Sequence, residues 1–310
     1  MNKNSYAIIG SGALGGLYGA LLAAAGHDVH FLLHSDFDHV RTHGLKIESH
    51  WGDFELPDVN AYKSADAMPA CDVTLLGLKT VNNHLLPELL KQPTSGGGVV
   101  LVLQNGLGVE RDVAQLVGED RVLGGCCFLC SNKVGPGHIR HIDYGRIVFG
   151  PLRNTAQTLA ISDQIRQEMD AAGIEVQCSD DLNKVRWRKL MWNIPFNGLS
   201  VALDASTDKL VASQAAVELV RDIISEVHSA AAACGAQIGA EWIDKTIDHT
   251  RQMVPYDSSM RLDYLAGRPM ELQAILKNPI ETARRAGVAM PKTEMLYQQL
   301  CFLQQQRQPQ

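Results

Sequence analysis

The sequence predicts an α/β chain in two parts: parallel strands alternating with helices over residues 1–180, then an all-helical part over 181–310. Three observations lead there. A glycine-rich turn sits between a short strand and a helix near the N-terminus. Further apolar runs of strand length, bounded by turn residues, continue as far as "IEVQCS". After "SDD" at 179–181 the texture changes, and long helical patterns replace glycine and strand-like runs. A length of 310 residues suits two domains better than one core.

The first elements are the most informative. In "SYAIIGSGALGGLYGALLAAAGHDVHFLLHS", Tyr6–Ile9 reads as a buried strand and Gly10, Gly12 and Gly15 fit GxGxxG. A small-residue helix ending at Gly26 follows, and "DVHFLL" is a second strand. That strand–turn–helix–strand setting is what the dinucleotide fingerprint requires. Gly10 permits the tight turn, Gly12 lets a pyrophosphate approach the backbone, and Gly15 lets helix pack on strand. The turn residues Gly10, Ser11, Gly12, Ala13, Leu14 and Gly15 are therefore the expected cofactor cradle of a Rossmann-type domain, with the helix N-terminus offering amide donors to phosphate. NAD-binding versions place Asp or Glu at the end of the second strand to bond the ribose 2′-hydroxyl. Here that place holds Leu33, His34 and Ser35, which favours NADP, with His34, Ser35 and Arg41 as phosphate contacts; Asp36 and Asp38 lie close by.

"CDVTLLGLKT" and "GGGVVLVLQNG" read as buried parallel strands that deliver Lys79 and Thr80, then Gln104, Asn105 and Gly106, at their C-terminal ends. Ligands of open α/β sheets bind at those ends, so Lys79 and Asn105 can reach a cofactor or substrate. "VLGGCCFLCSNKVGPGHIRHIDYGRIVFGP" reads as strands joined by the turn "KVGPGH", followed by a helix over 155–172. Its Cys126, Cys127 and Cys130 offer no fourth ligand, and a strand would send the adjacent Cys126 and Cys127 to opposite faces, so the expectation is small buried hydrophobes and no metal. "HIRH" at 138–141 likewise reads as strand residues near a turn.

In the second part, helices are expected over 182–200, 214–235, 241–252 and 270–286, with Pro195 kinking or ending the first and the tail "QQQRQPQ" fraying. The first carries "KLMWNIPFN", where Lys189, Asn193 and Asn197 recur every four residues and so share one helix face. Beside a nucleotide domain, a lysine on such a face can protonate a carbonyl oxygen as hydride reaches the carbon, and the two amides can hold a substrate hydroxyl or carbonyl. A formal net charge of −6 argues against a nucleic-acid binder. No run of about 18 apolar residues suits a membrane span, and the N-terminus lacks a signal-peptide pattern, so a cytoplasmic protein is expected.

The blocks "IIGSGALGGLYGALLAAAGHDV", "LGLKT", "LQNGLG", "RWRKLMWNIPFNGLSVAL" and "SSMRLDYLAGRPMELQ" together make the chain resemble 2-dehydropantoate 2-reductase (ketopantoate reductase) over essentially its whole length. The resemblance implies a helical domain of the 6-phosphogluconate dehydrogenase-like kind. It implies NADPH-dependent reduction of the 2-keto group of ketopantoate to pantoate, on the pantothenate and coenzyme A route. It makes Lys189 the catalytic lysine, Asn193 and Asn197 substrate-binding, Ser259 with Ser258 beside it a carboxylate contact, and Glu271 a cofactor contact, with Lys79 and Asn105 on the cofactor side. The expected partner is a small 2-oxo acid, with a homodimer left open. The chain departs from the family pattern at three positions: His34 stands where an arginine is common, and Thr207 and Tyr256 where asparagines are expected. Alternatives are a paralogue acting on another 2-oxo acid, a β-hydroxyacid dehydrogenase-like oxidoreductase, and a non-catalytic NADP-sensing protein, which would have no need of Lys189.

Overall fold

The structure, a computed structural model, describes residues 3–307 and divides into two compact units. The first runs to Gln104 and resumes from Val109 to Leu182; the second takes Asn105–Gly108 and continues from Asn183.

The first unit carries, in chain order, β1 (Tyr6–Ile9), α1 (Ala13–Ala24), β2 (Val29–Leu32), α2 (Phe37–His43), β3 (Leu45–Ser49), β4 (Phe54–Leu56), β5 (Asn60–Tyr62) and β6 (Val73–Leu76). After these come α3 (Leu86–Lys91), β7 (Val99–Val102), α4 (Val109–Val117), β8 (Val122–Gly135), β9 (His138–Pro151), α5 (Ala156–Ala171) and β10 (Val176–Cys178). Each residue of β1 is buried, and β1 pairs parallel to β2 on one side and β6 on the other. This double burial is why "YAII" and "VTLL" read as continuous apolar runs rather than alternating ones. The order β5-β2-β1-β6-β7-β8 is parallel throughout. Chain order reverses between β1 and β6, and a doubly wound sheet binds its ligand at the carboxyl ends of such a pair.

The long antiparallel hairpin of β8 and β9 turns at Pro136 and Gly137, within the expected "KVGPGH". Fourteen residues give β9 enough far edge for two neighbours: β3 pairs with 138–141 and β10 with 147–149. Cys126, Cys127 and Cys130 are buried along β8. The short strands β3, β4 and β5 and the seven-residue α2 lie outside the sequence expectation, because each owes its existence to pairing or packing with distant chain rather than to its own pattern.

The second unit holds α6 (Leu182–Trp192) from its second residue on, a π-helical turn (Asn193–Asn197), α7 (Gly198–Ala202), α8 (Thr207–Ala212), α9 (Gln214–Ala233), α10 (Glu241–Gln252) and α11 (Ser259–Leu265). A second π-helical turn (Gln273–Lys277), α12 (Asn278–Arg285) and α13 (Pro291–Arg307) complete it. Pro195 does not end the first helix: the helix widens by a π turn around it and carries on. Proline has no N–H to offer the carbonyl four residues back. In an i→i+5 register that carbonyl looks to the residue after the proline, so the widened turn absorbs Pro195 without a break. The polar tail also differs from expectation: Gln304 to Arg307 are helical, and Gln304 Oε1 accepts from the Met270 N–H at 2.8 Å. Residues 308–310 of that tail lie outside the described residues.

The core of this unit gathers Trp187, Met191, Ile194, Phe196 and Leu199 from the α6–α7 rod. Trp187 is fully buried, and its indole N–H has no partner among the described residues. Trp187→Ala should therefore lower stability by about 3–5 kcal/mol. Trp187→Phe, which removes an unserved donor along with little volume, should lose less than half of that. Urea denaturation of the two variants checks the ordering.

Candidate functional site

The glycine-rich turn of the first unit discriminates among its three glycines by space. A Cβ on Gly10 would stand 2.3 Å from the Leu78 nitrogen, just past β6, and φ there is +95°. A Cβ on Gly15 would stand 2.4 Å from the Gly10 carbonyl oxygen. Around Gly12 nothing lies within 4 Å. The first and third glycines thus close the strand–helix junction, while the second leaves open the space a phosphate would take against the start of α1. Ser11 Oγ donates to the Leu32 carbonyl at 2.9 Å, tying the turn to the end of β2. Ala13 and Leu14 open the helix, whose first turn holds no acidic residue to repel an anion.

Beyond β6, Gln104 Nε2 donates to the Leu78 carbonyl and to Asn83 Oδ1, each at 2.7 Å, which joins the ends of β6 and β7. Lys79 is half-buried at the same strand end. Past β2, His34 and Ser35 are exposed, whereas Asp36 is buried. Its carboxylate accepts from Lys133 Nζ at 2.6 Å, from the Gly137 N–H at 3.0 Å and from Ser35 Oγ at 3.1 Å. Burial pushes the Asp36 carboxyl up, and these donors outweigh it, holding it below its ordinary value.

In the second unit the lysine helix meets the loop that continues β7. Lys189 is half-buried, with Nζ 5.7 Å from the centroid of the Trp192 ring. Trp192 is fixed in turn: its Nε1 donates to Thr250 Oγ1 at 3.1 Å and its ring stacks on Phe196. Asn193 and Asn197 sit at the two ends of the first π turn and are both buried. Asn193 Nδ2 donates to Asn105 Oδ1 at 3.4 Å, so Asn105 and Asn193 come together as one amide pair. Asn197 Oδ1 is a buried acceptor with no partner among the described residues, which suits a hydroxyl or amide donor brought by a ligand. The Leu107 N–H donates to the Ala274 carbonyl at 2.9 Å and Asn278 Nδ2 to the Leu107 carbonyl at 2.8 Å, so the second π turn holds the loop. Glu271 is buried just ahead of that turn.

Ser258 and Ser259 separate by role. Ser258 is fully buried, caps α11 by accepting from the Arg261 N–H, and lies 2.7 Å from Ser200 Oγ. Ser259 begins the helix and is half-buried. Ser200 is a residue the sequence reading passed over; its spacing of seven from Asn193 along the same rod was the available signal. Thr207 and Tyr256 meet: Thr207 Oγ1 donates to the Tyr256 carbonyl at 2.9 Å. Arg261 braces the same junction by pairing with Asp204, at 2.9 Å, and with Asp257.

Two family models cover nearly the whole chain: "Ketopantoate reductase PanE/ApbA" over residues 6–154 and "Ketopantoate reductase PanE/ApbA C terminal" over 181–304. The chain belongs to the ketopantoate reductase family. A 2-dehydropantoate 2-reductase of Nostoc sp. is 48% identical over 98% of this chain and 96% of its own length. The crystal structure of 2-dehydropantoate 2-reductase from Geobacter metallireducens superposes with a TM-score of 0.92 at 40% identity, covering 98% of this chain and all of that one. D-mandelate dehydrogenase, solved as a ternary structure with NADH and anilino(oxo)acetate, shares the fold at 21% identity, a TM-score of 0.88 and coverage of 98% and 99%. As a member of the ketopantoate reductase family the protein is an oxidoreductase, built from a dinucleotide-type α/β unit and a helical unit.

The different surroundings of the ketopantoate reductase glycines make a direct test. Gly12→Ala should leave the urea midpoint at or slightly above that of the unaltered protein, since its Cβ enters open space at an ordinary φ. Gly10→Ala should cost more than about 1 kcal/mol, because a positive φ and a backbone clash act together. Equal midpoints in the two variants would contradict the division of labour drawn above.

Proposed function

We propose that the protein reduces the 2-keto group of 2-dehydropantoate to pantoate using NADPH. The observation that carries the reading is the run of Lys189, Asn193 and Asn197 along one rod through a π turn, with a buried unserved acceptor on Asn197. The turn at Gly10, Ser11, Gly12, Ala13, Leu14 and Gly15 would cradle the pyrophosphate, with Lys79, Asn105 and Glu271 contributing on the cofactor side. Exposed His34, Ser35 and Arg41, and an Asp36 already engaged elsewhere, support the phosphorylated cofactor over its unphosphorylated counterpart.

When bound, the nicotinamide supplies a hydride to the substrate's keto carbon. As that carbon–oxygen double bond opens, Lys189 Nζ gives a proton to the oxygen, and its charge steadies the developing alkoxide. Asn193 and Asn197 orient the carbonyl and the distal hydroxyl through neutral hydrogen bonds. Ser259 at the start of α11 holds the carboxylate, and Ser258 positions it by capping that helix and touching Ser200. Lys189 regains its proton from solvent, so each turnover consumes one hydride and one proton.

A second reading, a paralogue acting on another 2-oxo acid, is favoured by Thr207 and Tyr256. The Thr207 hydroxyl is committed to the Tyr256 carbonyl, whereas asparagine amides in both places would offer donors and acceptors to a substrate. The loss of one neutral hydrogen bond raises a Michaelis constant by roughly 2–12-fold.

Lys189→Ala should bind NADPH nearly as the unaltered protein does while its turnover number falls by about 10²–10⁴-fold, the range of general acid catalysis. Stopped-flow absorbance of NADPH oxidation measures it, and turnover close to the unaltered rate removes Lys189 from the mechanism. A panel of 2-oxo acids decides the substrate. Ketopantoate should show the highest specificity constant; a better substrate lacking the distal hydroxyl would make the chain a paralogue and leave the lysine chemistry intact.

A further inference from the structure

Asp36 presents a contradiction that the fold resolves. It stands about 20 residues past Gly15 and just beyond the strand end held by Leu33, His34 and Ser35, close to where dinucleotide-binding domains place the carboxylate that accepts from the ribose hydroxyls. It also occupies the N-cap position of α2, where aspartate ordinarily accepts from the helix's own first N–H groups. Its backbone is in the right-handed helical region, its side chain makes no capping bond, and its carboxylate is buried against the hairpin of β8 and β9.

The partners lie far along the chain. Lys133, near the end of β8, reaches Asp36 Oδ1 at 2.6 Å, and the Gly137 N–H, in the hairpin turn, reaches Oδ2 at 3.0 Å. Ser35 Oγ adds a third donor at 3.1 Å. Both oxygens of the carboxylate are thus occupied. The hairpin tip is itself fixed: the Lys46 N–H donates to the Gly137 carbonyl at 2.9 Å, and Gly137 adopts φ +62° with room for no Cβ, which would stand 2.9 Å from the Gly44 carbonyl oxygen.

We propose that Lys133 is a positioning residue for coenzyme choice, which holds Asp36 turned away from the ribose and cancels its charge, so that a 2′-phosphate is accepted where a free carboxylate would select the 2′-hydroxyl. The inference rests on the reading that the first unit binds a nicotinamide dinucleotide, and it adds which side chain sets the preference. Lys133 acts here through Asp36 rather than on the coenzyme. A freed Asp36 would gain a hydrogen-bonding reason to prefer NADH and an electrostatic reason to refuse NADPH. The lowered carboxyl of Asp36 agrees with the geometry, since the carboxylate is held ionised and needs its counter-charge.

The experiment is calorimetric titration of the full chain with NADPH and with NADH, read as the ratio of the two dissociation constants, NADH over NADPH. In Lys133→Met that ratio should fall by at least about tenfold, the scale of one charge-assisted hydrogen bond. Lys133→Arg, which keeps the ion pair, should retain the original ratio. Adding Asp36→Asn to Lys133→Met should bring the ratio back to within about threefold of the unaltered protein, because no carboxylate remains to be released. Should Lys133→Met fail to fold, Lys133→Gln carries the same test, with a fall in the ratio again expected. An unchanged ratio in the lysine variants overturns the proposal. So does a loss of NADPH binding that persists in the double variant, since Lys133 would then touch the phosphate itself. An unaltered protein that binds neither coenzyme overturns the underlying reading and this proposal with it, whereas sound binding with an unmoved ratio overturns this proposal alone.

Discussion

The amide arrangement of the second unit depends on one backbone contact that leaves no space for a side chain. Gly106 lies against Ala274, where a Cβ would stand 2.5 Å from both the Ala274 Cβ and its carbonyl oxygen, and φ is +103°. Only glycine meets both demands at little cost. With the loop pressed that closely, the Leu107 N–H and carbonyl find Ala274 and Asn278, and Asn105 is held within reach of Asn193. Buried amides need support of this kind, because a hydrogen-bonding atom displaced by an ångström loses much of its worth.

The two π turns belong to the same logic. A π turn is rare, appears mostly as a single turn inside an α-helix, and is frequent at functional sites. Here one carries Asn193 and Asn197 and the other carries Ala274, and the two pack together within the helical unit. Widening the rod at 193–197 keeps the proline inside a continuous helical stretch in which both amides are buried, and a buried unserved oxygen such as Asn197 Oδ1 is expensive.

Much of this was legible in the chain. "YAIIGSG" and its neighbours announced strand, turn and helix because local pattern and long-range packing ask the same thing of those residues. Lys189, Asn193 and Asn197, legible as a four-residue recurrence, fall in one continuous helical stretch of α6 and the first π turn. The π register did not announce itself: side-chain periodicity reports which face is apolar, not which carbonyl pairs with which N–H, and Pro195 therefore reads as a kink or an end. The helix α13 was obscured by its glutamines, although buried Thr293, Leu296 and Leu300 give it an inner stripe. The engagement of Asp36 by Lys133 spans 97 residues of sequence, and no local pattern can anticipate a partner that only the hairpin brings near. Thr207 and Tyr256 each stood out singly, but that one bonds the other's carbonyl was visible only once α8 and the segment before α11 were folded together.

Because Asn105–Gly108 belongs to the helical unit while the chain on both sides of it belongs to the other, the polypeptide passes between the units at 104/105, 108/109 and 182/183. The two halves are therefore stitched rather than strung. A helical half cut from the gene near residue 180 would arrive without its own loop, with the Ala274 carbonyl, the Asn278 amide and the Asn193 amide all missing the partners that residues 105–107 provide. A protease nick at 180 leaves those four residues tethered at both ends, so the loop stays in place after the cut. Recombination that exchanges one half between relatives must likewise carry four residues of the other along with it, which ties the inheritance of the helical half to the end of the seventh strand.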